Sequence, residues 1–163
     1  MISDIALDPY SSDGHDGIVR DGKIVHDETV EKLASMAILQ AKADFDIFGR
    51  SDMMDGRIAA INESFNDEGI EDLYKMSLMA KYASAYYGPF RDALDSAPVE
   101  DDNIPKDKLS YQMNPANSKE AMLEAELDLM EGADFLMVKP ALNYLDIIKV
   151  LHDNSKFLSL PIM

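Results

Sequence analysis

Short apolar runs alternate along the chain with stretches in which apolar residues recur every three or four positions. Residues 2–7 predict a strand, followed by the turn-forming run PYSSDGHDG with Gly14 and Gly17. From Asp27, the residues Val30, Leu33, Ala34, Ala37, Ile38 and Ala41 fall on one helical stripe, with Asp27 placed to cap the first turn. Residues 43–48 predict a second strand. Ile58, Ile61 and Phe65 predict a short helix ending near Gly69. Residues 73–80 read as a weaker strand, and GPFRDALDS reads as a short helical turn. The polar segment 98–108, with two prolines, predicts an exposed loop. Asn117 and Glu120 have capping-box spacing, and the helix they would open runs to Gly132. Residues 135–138 are continuously apolar, as a strand covered on both faces should be. A helix from Asn143 carries Tyr144, Leu145, Ile148 and Leu151 on one face, and the final LPIM predicts a further strand.

This order is a β-α unit repeated about four times, with a trailing strand. It argues for a parallel sheet with right-handed crossovers, either an open doubly wound sheet or part of a (β/α)₈ TIM barrel. The chain has 163 residues, whereas a closed barrel takes about 250. Residues 1–163 are therefore expected to be one segment of a barrel domain. Composition narrows the chemistry further. Apolar residues make up 47% of the chain, enough for a core, and 31 acids against 15 bases give a net charge of −16. Such a charge argues against nucleic-acid and anionic-membrane partners. There is no cysteine, which removes disulfides, thiolate metal sites and thiol nucleophiles.

In parallel α/β folds, chemistry collects where strands end. Two expected strands end in lysine, MSLMAK at Lys81 and DFLMVK at Lys139. Either lysine could merely reach out to solvent. Together they would point into one mouth, where burial and a neighbouring cation favour the neutral amine that attacks a carbonyl to form a Schiff base. Asp4, Asp8, Asp13 and Asp16, with His15, form an acidic group; Asp8 and Asp16 could embrace hydrated magnesium or a substrate ammonium, or belong to a solvated turn. Ser51 and Asp52 are placed to line the mouth. Arg91 and Lys108 are cations able to hold a carboxylate, Arg91 by a bidentate fork. Glu124 and Asp128, four residues apart, could face a hydrated metal or simply solvent. His26 and His152 have no visible partner. No Gly-rich phosphate loop is present.

The blocks DIALDPYSSDGHDGIV, SDMMDGR, AKYASAYYGPFRDAL, YQMNPAN, EGADFLMVKPA and YLDII, in this order, resemble the porphobilinogen synthase (5-aminolevulinate dehydratase) family across nearly the whole chain. The resemblance implies a (β/α)₈ barrel that condenses two 5-aminolevulinate molecules into porphobilinogen in tetrapyrrole synthesis. It implies Schiff bases at Lys81, on the propionate side, and Lys139, on the acetate side. Ser51 and Asp4 match pocket-lining positions, Arg91 and Lys108 the cations for a substrate carboxylate, and Gln112 a nearby site position. Zinc-dependent relatives carry three cysteines where this chain has Ala6, Asp8 and Asp16. The chain therefore looks like the aspartate-rich, magnesium-responsive type, with magnesium at an allosteric site and a second ion conceivable in the active site. Glu124 matches the carboxylate for the hydrated allosteric ion. DPYSSDGHDG is most similar to plastid-type sequences, which implies a plastid location, or a cytoplasmic one in a bacterium. A homo-oligomer, octamer or hexamer, is also implied.

The chain departs from the family pattern at several places. KADFDIFGRS stands where AGADIVAPS-like sequence is usual, which alters the strand end at Phe48, Gly49 and Arg50. MSLMAK replaces an MSYSAK-like stretch, and NYLD replaces PYLD. By this resemblance the chain is a central segment, without the N-terminal arm, the first strands and the C-terminal strands, and inactive in isolation. A truncated non-catalytic homologue acting as a structural subunit is the alternative reading. An unrelated aldolase-type Schiff-base lyase is a third.

Overall fold

The computed structural model describes residues 1–94, 98–154 and 158–161. Strands β1 (Ile2–Ile5), β4 (Ile47–Arg50), β5 (Tyr74–Lys81), β6 (Phe135–Lys139) and β7 (Leu158–Pro161) form one parallel sheet in the order β1-β4-β5-β6-β7. Each new strand is laid beside its predecessor. A doubly wound sheet would reverse direction partway, so this order decides for consecutive units of a barrel wall. The helices α1 (His26–Ala41), α2 (Arg57–Asp67), α4 (Ser118–Met130) and α5 (Leu145–Asn154) supply one side of the core; α3 (Tyr87–Leu94) follows β5. Leu33, Ala34 and Ala37 of α1 pack with Ile5, Phe48, Ile61 and Phe65. Ile58 of α2, Ala121 and Ala125 of α4 and Ile147 and Leu151 of α5 pack against Met79, Ala80, Leu136 and Val138. The opposite, concave face carries a separate cluster built from strand residues alone: Met76, Leu78 and Met137, with Ile47 and Phe135.

Several expected boundaries move. The second strand begins at Ile47 because residues 43 and 44 complete the turn that ends α1: Ala43 N–H donates to Gln40 O and Asp44, at φ 61°, to Ala41 O. Residues 73–80, read as the weaker strand, form the longest strand of the sheet. A small antiparallel hairpin, β2 (Val19–Arg20) with β3 (Lys23–Ile24), had no apolar pattern to announce it. Neither expected N-cap forms. Asp27 lies inside the first turn of α1, where Val25 is the cap residue, and Asn117 turns its amide to Glu120 at 3.3 Å and leaves the backbone uncapped. The helix ends were legible. At Gly132 (φ 100°), Gly132 N–H reaches Leu129 O and Ala133 N–H reaches Asp128 O, the paired bonds of a Schellman turn. The helix after β6 starts at Leu145, preceded by a single 3₁₀ turn, Ala141–Asn143. Of LPIM, residues 162 and 163 lie outside the described residues, as do residues 95 and 96 of GPFRDALDS. Among the described residues, no helix is long and apolar enough to cross a membrane.

Candidate active site

The two strand-end lysines are brought together by an irregularity in β5. Ser77 is in register with Leu136, and Ala80 with Val138, so Leu78 and Met79 oppose the single residue Met137. Leu78 lies on the concave face, while Met79 and Ala80 both pack on the helix side. Strict alternation would have sent Lys81 to the helix side with Ser77 and Met79. The extra residue reverses that, and Lys81 pairs in register with Lys139 on the concave side of the mouth. On the adjoining strands, Asp4 pairs with Gly49, and Ser51 Oγ donates to Asp4 Oδ1 at 2.8 Å. Gly49 permits this closeness: a Cβ there would lie 2.8 Å from Ser3 O and 3.2 Å from Met76 Cε.

These side chains enclose a cavity of about 350 Å³. Asp4, Asp8, Ser51, Lys81, Arg91, Lys108, Gln112 and Lys139, all sequence candidates, line it, together with Pro9 and Tyr87. Asp16 lies beneath it, fully buried. Its Oδ2 accepts from Lys81 Nζ at 2.6 Å and its Oδ1 from Lys108 Nζ at 2.5 Å, while Lys81 Nζ also reaches Ser51 O at 2.7 Å. Burial alone would raise the Asp16 carboxyl, but the two ammonium groups and their hydrogen bonds hold it below its ordinary value. Both Asp16 oxygens are taken here by the protein's own lysines, Lys81 and Lys108. Asp8 shifts the other way, upward, through burial and the nearby Asp16 charge.

Lys139 sits in a different field. Burial, and then the charge of Lys81, push its ammonium below the usual lysine value. Its Nζ lies 5.8 Å from the centroid of the Tyr87 ring, and the Arg91 guanidinium carbon lies 5.5 Å from the same ring. Arg91 also reaches Gln112 Oε1 at 3.5 Å. Tyr87 is the site residue that sequence reading passed over. It stood inside a quoted block, but a single aromatic in a loop-to-helix step carries no periodic signal.

Other candidates lie elsewhere. Asp52 does not line the mouth: it is buried on the helix side, accepts from Met54 N–H at 2.7 Å and faces Arg57 Nε at 3.4 Å. Asp128 is likewise buried. Ser77 Oγ donates to it, and Arg57 lies 3.8 Å away, so the reading of a solvated helix face fails there. Glu124, one turn earlier on α4, is half-buried outside the cavity, and burial, Asp128 and Asp55 raise its carboxyl. Arg50, in the departing FGR stretch, is fully buried in the same layer. Among the described residues, none of its guanidinium nitrogens has a hydrogen-bond partner, and burial with Arg57 alongside brings its pKa down to about 10. Asp13 shapes a turn by accepting from His15 N–H at 3.0 Å. His26 and His152 are exposed. Among the described residues, no group of three or more His, Asp or Glu side chains is arranged to hold a metal, and the absence of cysteine leaves no thiolate site.

The family model described as delta-aminolevulinic acid dehydratase matches residues 1–163. The chain is 57% identical over 163 residues to a chloroplastic delta-aminolevulinic acid dehydratase of Oryza sativa, covering 99% of this chain and 36% of that protein. It is 52% identical over 153 residues to the Rhodobacter capsulatus enzyme, covering 94% of this chain and 45% of that one. A crystal structure of the Toxoplasma gondii enzyme in complex with its reaction product porphobilinogen superposes with a TM-score of 0.90 at 52% identity, covering 97% of this chain and 44% of that chain. The chain thus spans less than half the length of these relatives.

Proposed function

The chain belongs to the delta-aminolevulinic acid dehydratase family, and from that premise we propose that the protein is a porphobilinogen synthase, a lyase of tetrapyrrole synthesis that joins two 5-aminolevulinate molecules. The observation that carries this reading is the register pair Lys81–Lys139 in one cavity, with one lysine bound to a carboxylate and the other biased toward its neutral form. The neutral Lys139 amine adds to the substrate ketone; loss of one water from the carbinolamine gives the imine. Arg91 and Lys108 are the cations available to a substrate carboxylate, and Asp4, Ser51, Asp8 and Gln112 supply polar contacts around it. Asp16 sets the charge of the Lys81 side from below. In the full-length chain, borohydride reduction in the presence of labelled 5-aminolevulinate should fix label on the Lys139 peptide. Label confined to peptides lacking both lysines would overturn the reading.

A hard, hydrated cation such as magnesium fits Glu124. The half-buried carboxylate is crowded by Asp128 and Asp55, and an ion there would relieve that repulsion and steady α4. Magnesium should therefore raise the thermal midpoint of the full-length protein, and Glu124→Ala should weaken that response; an unchanged magnesium response in the variant would remove Glu124 from the account. Plastid location follows the chloroplastic names of the relatives. Assembly into an octamer or hexamer remains part of the same proposal.

A further inference from the structure

Lys108 is presented to Asp16 by a short arch of chain, and both feet of that arch are tied to a single imidazole. His15 is fully buried. Its Nε2 lies 2.7 Å from Pro105 O, and its Nδ1 lies 2.9 Å from the Tyr111 hydroxyl. A carbonyl can only accept, so Nε2 carries the hydrogen, and in the neutral ring Nδ1 then accepts from the Tyr111 O–H. The Tyr111 oxygen in turn accepts from Asp16 N–H at 3.3 Å. The Tyr111 and Gln112 N–H groups close back onto Lys108 O at 3.3 and 2.9 Å. Pro105 and Tyr111 thus lie on either side of Lys108, and one side chain from the N-terminal loop fixes both.

We infer that His15 is a positioning residue for 5-aminolevulinate binding: by clamping Pro105 and Tyr111 it holds Lys108 over Asp16, where that lysine meets a substrate carboxylate. The inference rests on the proposed synthase reading. His15 touches neither the cavity nor the reacting atoms, and its effect passes through Lys108, a group that binds substrate in the ground state. Loosening the arch should therefore raise KM and largely spare kcat.

The test uses the full-length enzyme. Tyr111→Phe removes one hydroxyl and should raise KM for 5-aminolevulinate by about tenfold, with kcat held within about threefold. His15→Phe should do at least as much. His15→Asn retains an acceptor near the Nδ1 position and His15→Gln a donor near Nε2, so each should fall between wild type and His15→Phe. Combining Tyr111→Phe with His15→Phe should add little, since both break one clamp. Amide exchange at Tyr111 and Gln112 should quicken in step with KM. If His15→Phe does not fold, the hydroxyl deletion alone decides. A folded Tyr111→Phe enzyme with wild-type KM and wild-type exchange would overturn the clamp. A wild-type enzyme that forms no porphobilinogen would instead defeat the synthase reading, and the exchange data would still report on the arch.

Discussion

Strands β5 and β6 end side by side in lysine, yet the two ends are built differently. β6 alternates regularly: Leu136 and Val138 face the helices, while Met137 faces the concave side. β5 carries an extra residue at Leu78–Met79, without which Lys81 would point into the helix layer. The electrostatics differ as well. Lys81 is locked against Asp16 and the Ser51 carbonyl, whereas Lys139 lies over the face of Tyr87 with its ammonium disfavoured by burial and by Lys81. One cavity therefore holds a lysine paired with a carboxylate and an amine shifted toward its neutral form. Backbone register, more than side-chain identity, creates that pairing.

The largest effect should come from removing the proposed nucleophile, Lys139. Lys139→Arg keeps a cation but not a group that deprotonates, so turnover of the full-length enzyme should fall by roughly 10³-fold or more with the fold intact. Steady-state rates alongside a thermal melt check this, and near-normal turnover would break the distinction between the two strand ends. Next comes the Lys81 end. Asp16→Asn leaves two buried ammonium groups without their carboxylate and should cost about 3–5 kcal/mol in denaturant unfolding. Because the Asp16 pKa is lowered on folding, its contribution is present above the unfolded carboxylate value and lost as pH falls through the folded one. The variant should lose that part of the acid sensitivity. Parallel acid-unfolding curves for wild type and variant would contradict the assignment.

A smaller effect of opposite sign is expected at Arg50, a buried cation in the layer behind the sheet. Lys81 has a carboxylate and a carbonyl; Arg50 has no hydrogen-bond partner among the described residues. Arg50→Met should raise stability by about 1–3 kcal/mol, read from the denaturation midpoint. A loss of stability would mean that the nearby Asp52 and Asp128 charges already compensate the guanidinium.

The barrel-type alternation and the helix ends at Gly69 and Gly132 were legible in the sequence, because burial and left-handed glycine turns leave periodic or compositional marks. The cavity wall was legible from strand-end positions and, for residues such as Asp4 and Gln112, only from the family resemblance. The reversal in β5 left none, since MSLMAK is apolar throughout and does not reveal which residue is extra. Asp52 and Asp128 read as mouth and solvent residues because an isolated carboxylate looks the same whether it meets water or a buried arginine. Arg57 donates to Met54 O at 2.8 Å nearby in the chain, but it completes that layer through Ser77 Oγ at 2.9 Å and Asp128, which only the fold brings to it. His15 and Tyr111, ninety-six positions apart, are joined only by the fold.

The most direct test of the central claim follows the pH dependence of Lys139 itself. Borohydride trapping of labelled 5-aminolevulinate on the Lys139 peptide, quantified across pH in the full-length enzyme, should rise with a midpoint below the ordinary lysine value of 10.5. Above that midpoint the amine is neutral and reactive; below it the ammonium is not. Since the Lys81 charge helps depress it, the midpoint should move upward in Lys81→Met. A midpoint at the ordinary value, or one that does not move when Lys81 is removed, would contradict the shared mouth on which the account depends.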